Sequence, residues 1–110
     1  MGAGFVGTLT VDLHLPESAS LKDKRRQLLR VKAGLTRRFA CAVAEVDHHD
    51  RLRRARLTLA VVTREAGEAE RQVDAAARWL HGDPTLEVLG ESRELLAVAD
   101  EPEWETDGRD

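Results

Sequence analysis

From Phe5 to Leu15 the chain alternates: Phe5, Leu9, Val11, Leu13 and Leu15 share one side of an extended backbone, and Thr8, Thr10, Asp12 and His14 the other. Period two with one apolar side predicts a half-buried strand. Pro16, which has no N–H for a ladder, ends it. Ser20 then reads as a helix N-cap, with Asp23 in the capping-box position. The helix is expected to run to about Phe39, with Leu21, Leu28, Leu35 and Phe39 in a narrow apolar stripe flanked by Lys24 and Lys32. Arg26, Arg30 and Arg37 fall nearly opposite and form an outward basic ridge. Gly34, about 1 kcal/mol worse than Ala in a helix, is expected to mark close packing or a bend.

Cys41 to Val46 predicts a short second strand, followed by the polar connection Asp47-His48-His49-Asp50. Ala55, Leu57, Leu59 and Val61 mark a third strand, with Arg54, Arg56, Thr58 and Ala60 on its other face. Ala66, Ala69, Val73, Ala76, Ala77 and Leu80 recur at helical spacing, giving a second helix from about Glu65 to His81. Gly82 and Asp83-Pro84 close it. A last strand spans Leu86 to about Leu95. Residues 97–110 are acidic and poor in apolar side chains, and read as a disordered tail behind a domain of residues 4–96.

The order β-α-β-β-α-β predicts an α+β, ferredoxin-like domain: a four-stranded antiparallel sheet in the order 4-1-3-2 with two helices on one face. That topology gathers His14, His48, His49 and His81 at one end of the sheet, with Lys22, Lys24, Asp47, Asp50, Arg53, Arg54 and Arg56 nearby.

Composition adds limits. A chain of 110 residues with 42% apolar content fits one domain with a real core. Its single cysteine, Cys41, cannot form an internal disulfide, which fits a reducing, cytoplasmic setting; a small buried hydrophobe at a strand start is its expected role. No apolar run approaches the ~20 residues of a membrane span, and none reads as a signal peptide. The net charge of −3 conceals an asymmetry. Residues 1–64 hold 13 Lys and Arg against 6 Asp and Glu, a balance of +7, whereas residues 65–110 hold 4 against 14, a balance of −10. A basic front suits anionic partners.

Two segments are distinctive: Ser20-Leu21-Lys22-Asp23-Lys24-Arg25-Arg26, preceded by Leu15-Pro16, and Ala44-Glu45-Val46-Asp47-His48-His49-Asp50, closed by Arg54-Ala55. With Val6-Gly7, they resemble the YlxP-like family of small bacterial proteins, a domain of unknown function, over about residues 4–96. The resemblance implies a ferredoxin-like fold. The family's genes often sit among those for translation initiation and ribosome maturation, which implies a ribosome-associated role. This chain departs from the pattern after Asp50, where Arg51-Leu52-Arg53 replaces a Leu-Trp-Gln-like segment; the ring's contact is lost or replaced and the loop is more basic. The family supplies no catalytic residues to carry over.

The candidate chemistry follows from these residues. Lys22, Arg26, Arg30, Arg37, Arg51, Arg53 and Arg54 could contact the phosphates of ribosomal RNA or a ribosomal particle; a merely solvated helix face is the competing reading. Base stacking on the open sheet face is not expected, because its central positions carry Thr8, Thr10, Asp12, Arg56 and Thr58 in place of aromatics. Asp47, His48, His49 and Asp50 are metal-ligand and proton-carrier types. Adjacent side chains on an extended chain point apart, so the run holds one ion only as a turn or with help from His14 or His81. The favoured expectation is that Asp47 or Asp50 caps local N–H groups and pairs with Lys24 or Arg54, with no catalytic residue, metal or cofactor assigned. Lys24, beside the buried stripe, must either be neutralised by a partner, with Glu45 or Asp47 the candidates, or snorkel outward. Trp79 is expected to cover the sheet edge in preference to lying in a dimer contact, Trp104 to dock transiently, and the tail either to compete with an anionic partner for the ridge or to be a solubilising extension. The best reading is a non-enzymatic RNA- or ribosome-associated factor. The alternatives are a small metal-dependent or acid/base enzyme centred on residues 47–50, and a dimerisation module pairing through an edge strand or the open sheet face.

Overall fold

A computed structural model describes residues 2–99. Its elements are β1 (Phe5–His14), α1 (Leu21–Phe39), β2 (Ala42–Asp47), β3 (Arg54–Thr63), α2 (Ala66–His81) and β4 (Glu87–Ala97). The sheet order is β2-β3-β1-β4, the expected 4-1-3-2 read from the other edge, with every neighbouring pair antiparallel. The arrangement is α+β and ferredoxin-like.

Alternation divides β1 and β3 cleanly. Leu9, Val11, Leu13, Ala55, Leu57, Leu59 and Val61 are buried under the helices, while Thr8, Thr10, Asp12, Arg54, Arg56 and Thr58 line the opposite, open face. The helices complete the core with Leu28, Val31 and Leu35 from α1 and Ala69, Val73, Ala76, Ala77 and Leu80 from α2. Each fully buried leucine or valine stabilises the fold by about 1.5–3 kcal/mol. The small residues of α2 let it approach β1 closely: a Cβ at Gly7 would sit 3.1–3.3 Å from Val73, Ala69 and Val61. The Ser20 hydroxyl caps α1 by accepting from the Asp23 N–H at 3.1 Å, and the Asp23 carboxylate reaches back to the Ala19 N–H at 3.3 Å. Cys41 is buried and its thiol donates to the Leu35 carbonyl; burial raises its pKa above the ordinary 9.0. No helix among the described residues is long and apolar enough to cross a membrane.

Two expectations need correction. β4 continues through Ala97, two residues past the expected end, and the Val98 N–H extends the pairing to the Gly4 carbonyl at 2.9 Å. The proposed tail therefore begins later than residue 97, and its residues 100–110, with Trp104, lie outside the described residues. Trp79 does not cover the sheet edge. Its ring lies over α1 at Gly34, with the Arg38 guanidinium 5.5 Å from the ring centroid.

Candidate functional site

Lys24 organises one end of the molecule. It does not flank the α1 stripe; it is one of the stripe's buried members with Leu28, Val31 and Leu35, and only 1% of its surface is exposed. Its stem runs through the core and its ammonium emerges against the β2–β3 connection. Nζ donates to the His48 carbonyl at 2.5 Å, lies 3.5 Å from the His49 carbonyl, and sits 2.9 Å from Glu45 Oε2. Oε2 is itself buried and lies off the angle of a hydrogen bond, so that contact is chiefly coulombic. Burying an ammonium costs several kcal/mol, and one carboxylate with two carbonyls offsets it.

A bulge selects Glu45 over Asp47 as the partner. β2 pairs with β3 as Glu45↔Leu57 and then Asp47↔Arg56, so Val46 is an extra residue. Glu45 consequently faces the helices, and Asp47 turns to the open face. There the Asp47 carboxylate accepts from the His48 N–H at 2.7 Å and pairs with Arg56 at 3.4 Å. Neither Lys24 nor Arg54 is its partner. The His48 N–H bond is the main reason its pKa lies below the ordinary 3.8.

Beyond Asp47 the chain makes a turn. His48 has φ 64°, and its carbonyl accepts from the Arg51 N–H at 3.0 Å, placing His49 and Asp50 at the corners. His49 Nε2 lies 3.1 Å from the Glu45 carbonyl, which can only accept, so this nitrogen carries the proton. The Arg53 carbonyl accepts from the Leu15 N–H at 2.9 Å. The two distinctive sequence segments thus meet, joined by Lys24.

The four histidines share this end but do not converge. His14 Nδ1 is 3.0 Å from Glu87, His81 Nε2 is 3.8 Å from Glu91 on β4, and His48 Nε2 is buried, without a hydrogen-bond partner and 3.9 Å from Asp12. His14, His48 and His81 face different acids, and His49 faces a backbone carbonyl. Among the described residues no group of three or more His, Cys, Asp and Glu side chains could hold a metal ion. Asp50 is exposed at the turn corner.

On the open face Arg56 grips Asp12 through Nε at 2.7 Å and Nη2 at 3.1 Å. That hydrogen bonding holds the Asp12 carboxyl below the ordinary 3.8, against a smaller opposing effect of burial. The depressed folded-state value means that this stabilisation is complete above the unfolded pKa and is lost as pH falls through the folded one. Denaturant titrations from pH 5 to pH 2 are expected to show wild type losing stability more steeply below about pH 4 than Asp12→Asn. Equal slopes would refute a role for this pair.

The cationic candidates divide three ways. Lys22, Arg26, Arg37, Arg51 and Arg53 are exposed, and Arg26 has only a loose contact with Asp23 at 4.0 Å. Arg25, not among the expected residues, joins them; it shares the exposed side of α1 with Lys22, Arg26 and Leu29, a row visible in the i, i+3, i+4 spacing. Arg30 is not free. Its Nη2 donates to Asp83 at 3.0 Å and to Thr85 Oγ1 at 3.1 Å, tying α1 to the α2–β4 connection. Burial pushes the Asp83 pKa up, but bonds from Thr85 and Arg30 outweigh it and leave the net shift downward. Arg54 is the first residue of β3, half-buried on the sheet, and its Nε is buried without a partner. It is not part of the exposed loop. Among the described residues Lys22, Arg25, Arg37, Arg51 and Arg53 have no acidic side chain within 4.0 Å.

Because Lys24 binds the turn from within α1, the connection that carries Arg51 and Arg53 is fixed to the helix whose first turns carry Lys22, Arg25 and Arg26. The open face holds no Phe, Tyr or Trp on its central strands; Thr10 and Thr58 meet there at 2.8 Å between hydroxyls. Comparison with curated proteins gives no match. A family model described as a protein of unknown function, DUF503, matches residues 6–93, a span that contains both clasped segments, and the chain belongs to that family.

Proposed function

We propose that this protein is a non-enzymatic RNA-binding factor that docks on ribosomal RNA or a ribosomal particle through its cationic end. The supporting observation is the clasp at Lys24, which fixes the turn bearing Arg51 and Arg53 to the helix that carries Lys22, Arg25 and Arg26; among the described residues only Arg26 of these five has an acidic side chain within reach, Asp23 at 4.0 Å. Charges held on a pinned turn and a capped helix lose little side-chain freedom beyond their own rotamers when they meet phosphates. The likeness to the YlxP-like family, whose genes accompany those of translation, favours ribosomal RNA among polyanions. With no Phe, Tyr or Trp on the central strands of the open face, recognition is by charge and shape, not by base stacking.

The test is binding of the full chain to a structured ribosomal RNA fragment across a salt series. Four phosphate contacts predict that log K falls with log[salt] at a slope of about −3 to −4. Arg26→Gln and Arg51→Gln are each expected to reduce the slope by about one, and Arg30→Gln by less because Asp83 holds that side chain. A salt-independent affinity, or one indifferent to Arg26 and Arg51, would overturn the proposal.

A further inference from the structure

β4 is an edge strand of 11 residues, nearly all of it exposed, and its outer backbone is unpaired among the described residues. Long edges of this kind are usually blunted. β2, on the opposite edge, has only six residues and a bulge. β4 also has an irregularity, where Leu89 is extra between the pairs Leu13↔Val88 and Asp12↔Gly90. From Gly90 to Ala97 its register with β1 is unbroken, which leaves a flat stretch able to accept another strand.

Its order of side chains is complementary to itself. In antiparallel pairing, residues that face one another lie on the same side of the sheet. A two-fold axis normal to the sheet must therefore pass through a residue that meets its own copy. Centring on Glu91, Arg93 or Glu94 puts like charges face to face. Centring on Ser92 sets Glu91 opposite Arg93 of the second copy, and Arg93 opposite Glu91, both on the helix-bearing side. Gly90 then faces Glu94, and the exposed Leu95 and Leu96 extend over the second copy's Leu89 and Val88. Two crossed ion pairs around a serine, flanked by leucines, make a symmetric register that opposite charges stabilise and its neighbours do not. Arg93 also contacts Asp74 of α2, and His81 stands 3.8 Å from Glu91, so both charges are positioned before any partner arrives.

We infer that two copies of this chain pair β4 to β4 about Ser92, joining their sheets into one antiparallel sheet of eight strands. The interface is isologous and closes after two subunits. It lies on the edge opposite β2 and is independent of the RNA reading.

Sedimentation equilibrium at about 100 µM is expected to give twice the 12.2 kDa chain mass. Glu91→Arg and Arg93→Glu, separately, each put like charges across the axis and are expected to weaken the dimer at least about tenfold. Mixing the two variants restores complementary pairs, so they are expected to associate with each other and not with themselves. Cross-linking checks the register without disturbing any charge. Ser92→Cys should form an intermolecular disulfide under mild oxidation, because facing Cα atoms stand ~4.5–5.5 Å apart. Glu94→Cys should not, being displaced from its own copy by four residues. A monomer at that concentration, equal cross-linking of both cysteine variants, or failure of the two charge variants to associate on mixing would overturn the inference.

Discussion

Replacing Lys24 by Met is expected to cost about 3–5 kcal/mol of folding stability, because it strands the Glu45 carboxylate and removes the donor that serves the His48 carbonyl. A domain of this size has roughly 5–15 kcal/mol in all. Lys22→Met changes an exposed side chain two residues away and is expected to shift stability by no more than about 0.5 kcal/mol. The double variant Lys24→Met with Glu45→Met should recover much of the loss, since an apolar pair can replace a buried ion pair at little net cost. A urea titration of wild type, both single variants and the double forms a closed cycle. Equal midpoints for Lys24→Met and Lys22→Met would refute the clasp. The same variant carries a functional reading: with the turn released, Arg51 and Arg53 no longer stand in fixed register with α1, and RNA affinity should fall although no phosphate-contacting charge has been touched.

At Gly34 the effect of a substitution should reverse with its background. A Cβ there would lie 2.6 Å from Trp79 Cη2 and 2.8 Å from Cζ2, closer than side chains tolerate. Gly34→Ala is expected to cost about 1–3 kcal/mol through overpacking between α1 and α2. In a Trp79→Ala background the obstruction is gone, and Gly34→Ala should become stabilising by about 1 kcal/mol, the ordinary helix-propensity gain. Thermal unfolding of the four combinations decides it; a Gly34→Ala effect independent of residue 79 would mean that the ring does not rest on this glycine. The glycine is therefore a seat for the indole, the close-packing option of the two that its sequence position left open.

Much of this architecture was readable in the chain. β1 and β3 alternate without interruption and α2 repeats its small apolar residues at helical spacing, so element order and sheet order followed from periodicity and chirality. β4 was harder to bound, because most of an edge strand is exposed and burial imposes little alternation on it; Leu95, Leu96 and Ala97 gave no sign of which was last. Lys24 stood out as a charge beside an apolar stripe. The choice between Glu45 and Asp47 turned on a one-residue bulge at Val46, which spacing does not announce. The Arg30–Asp83 tie spans 53 residues of sequence, and only the folded packing of α1 against the α2–β4 connection brings its ends together. The histidines were correctly expected near one end, but topology cannot say whether side chains at a shared level turn toward each other, and these turn apart, three to separate acids and His49 to a backbone carbonyl.

The ammonium of residue 24 and the carbonyl of residue 48 meet across 24 positions of chain. Neither stretch can be altered alone at this contact without leaving the other's polar group unpartnered, whereas the outward charges of α1 take no part in it. The most recognisable stretches of this protein are thus the two halves of a fastener. They hold this end of the chain shut, and whatever docks here meets the surface that the fastener presents.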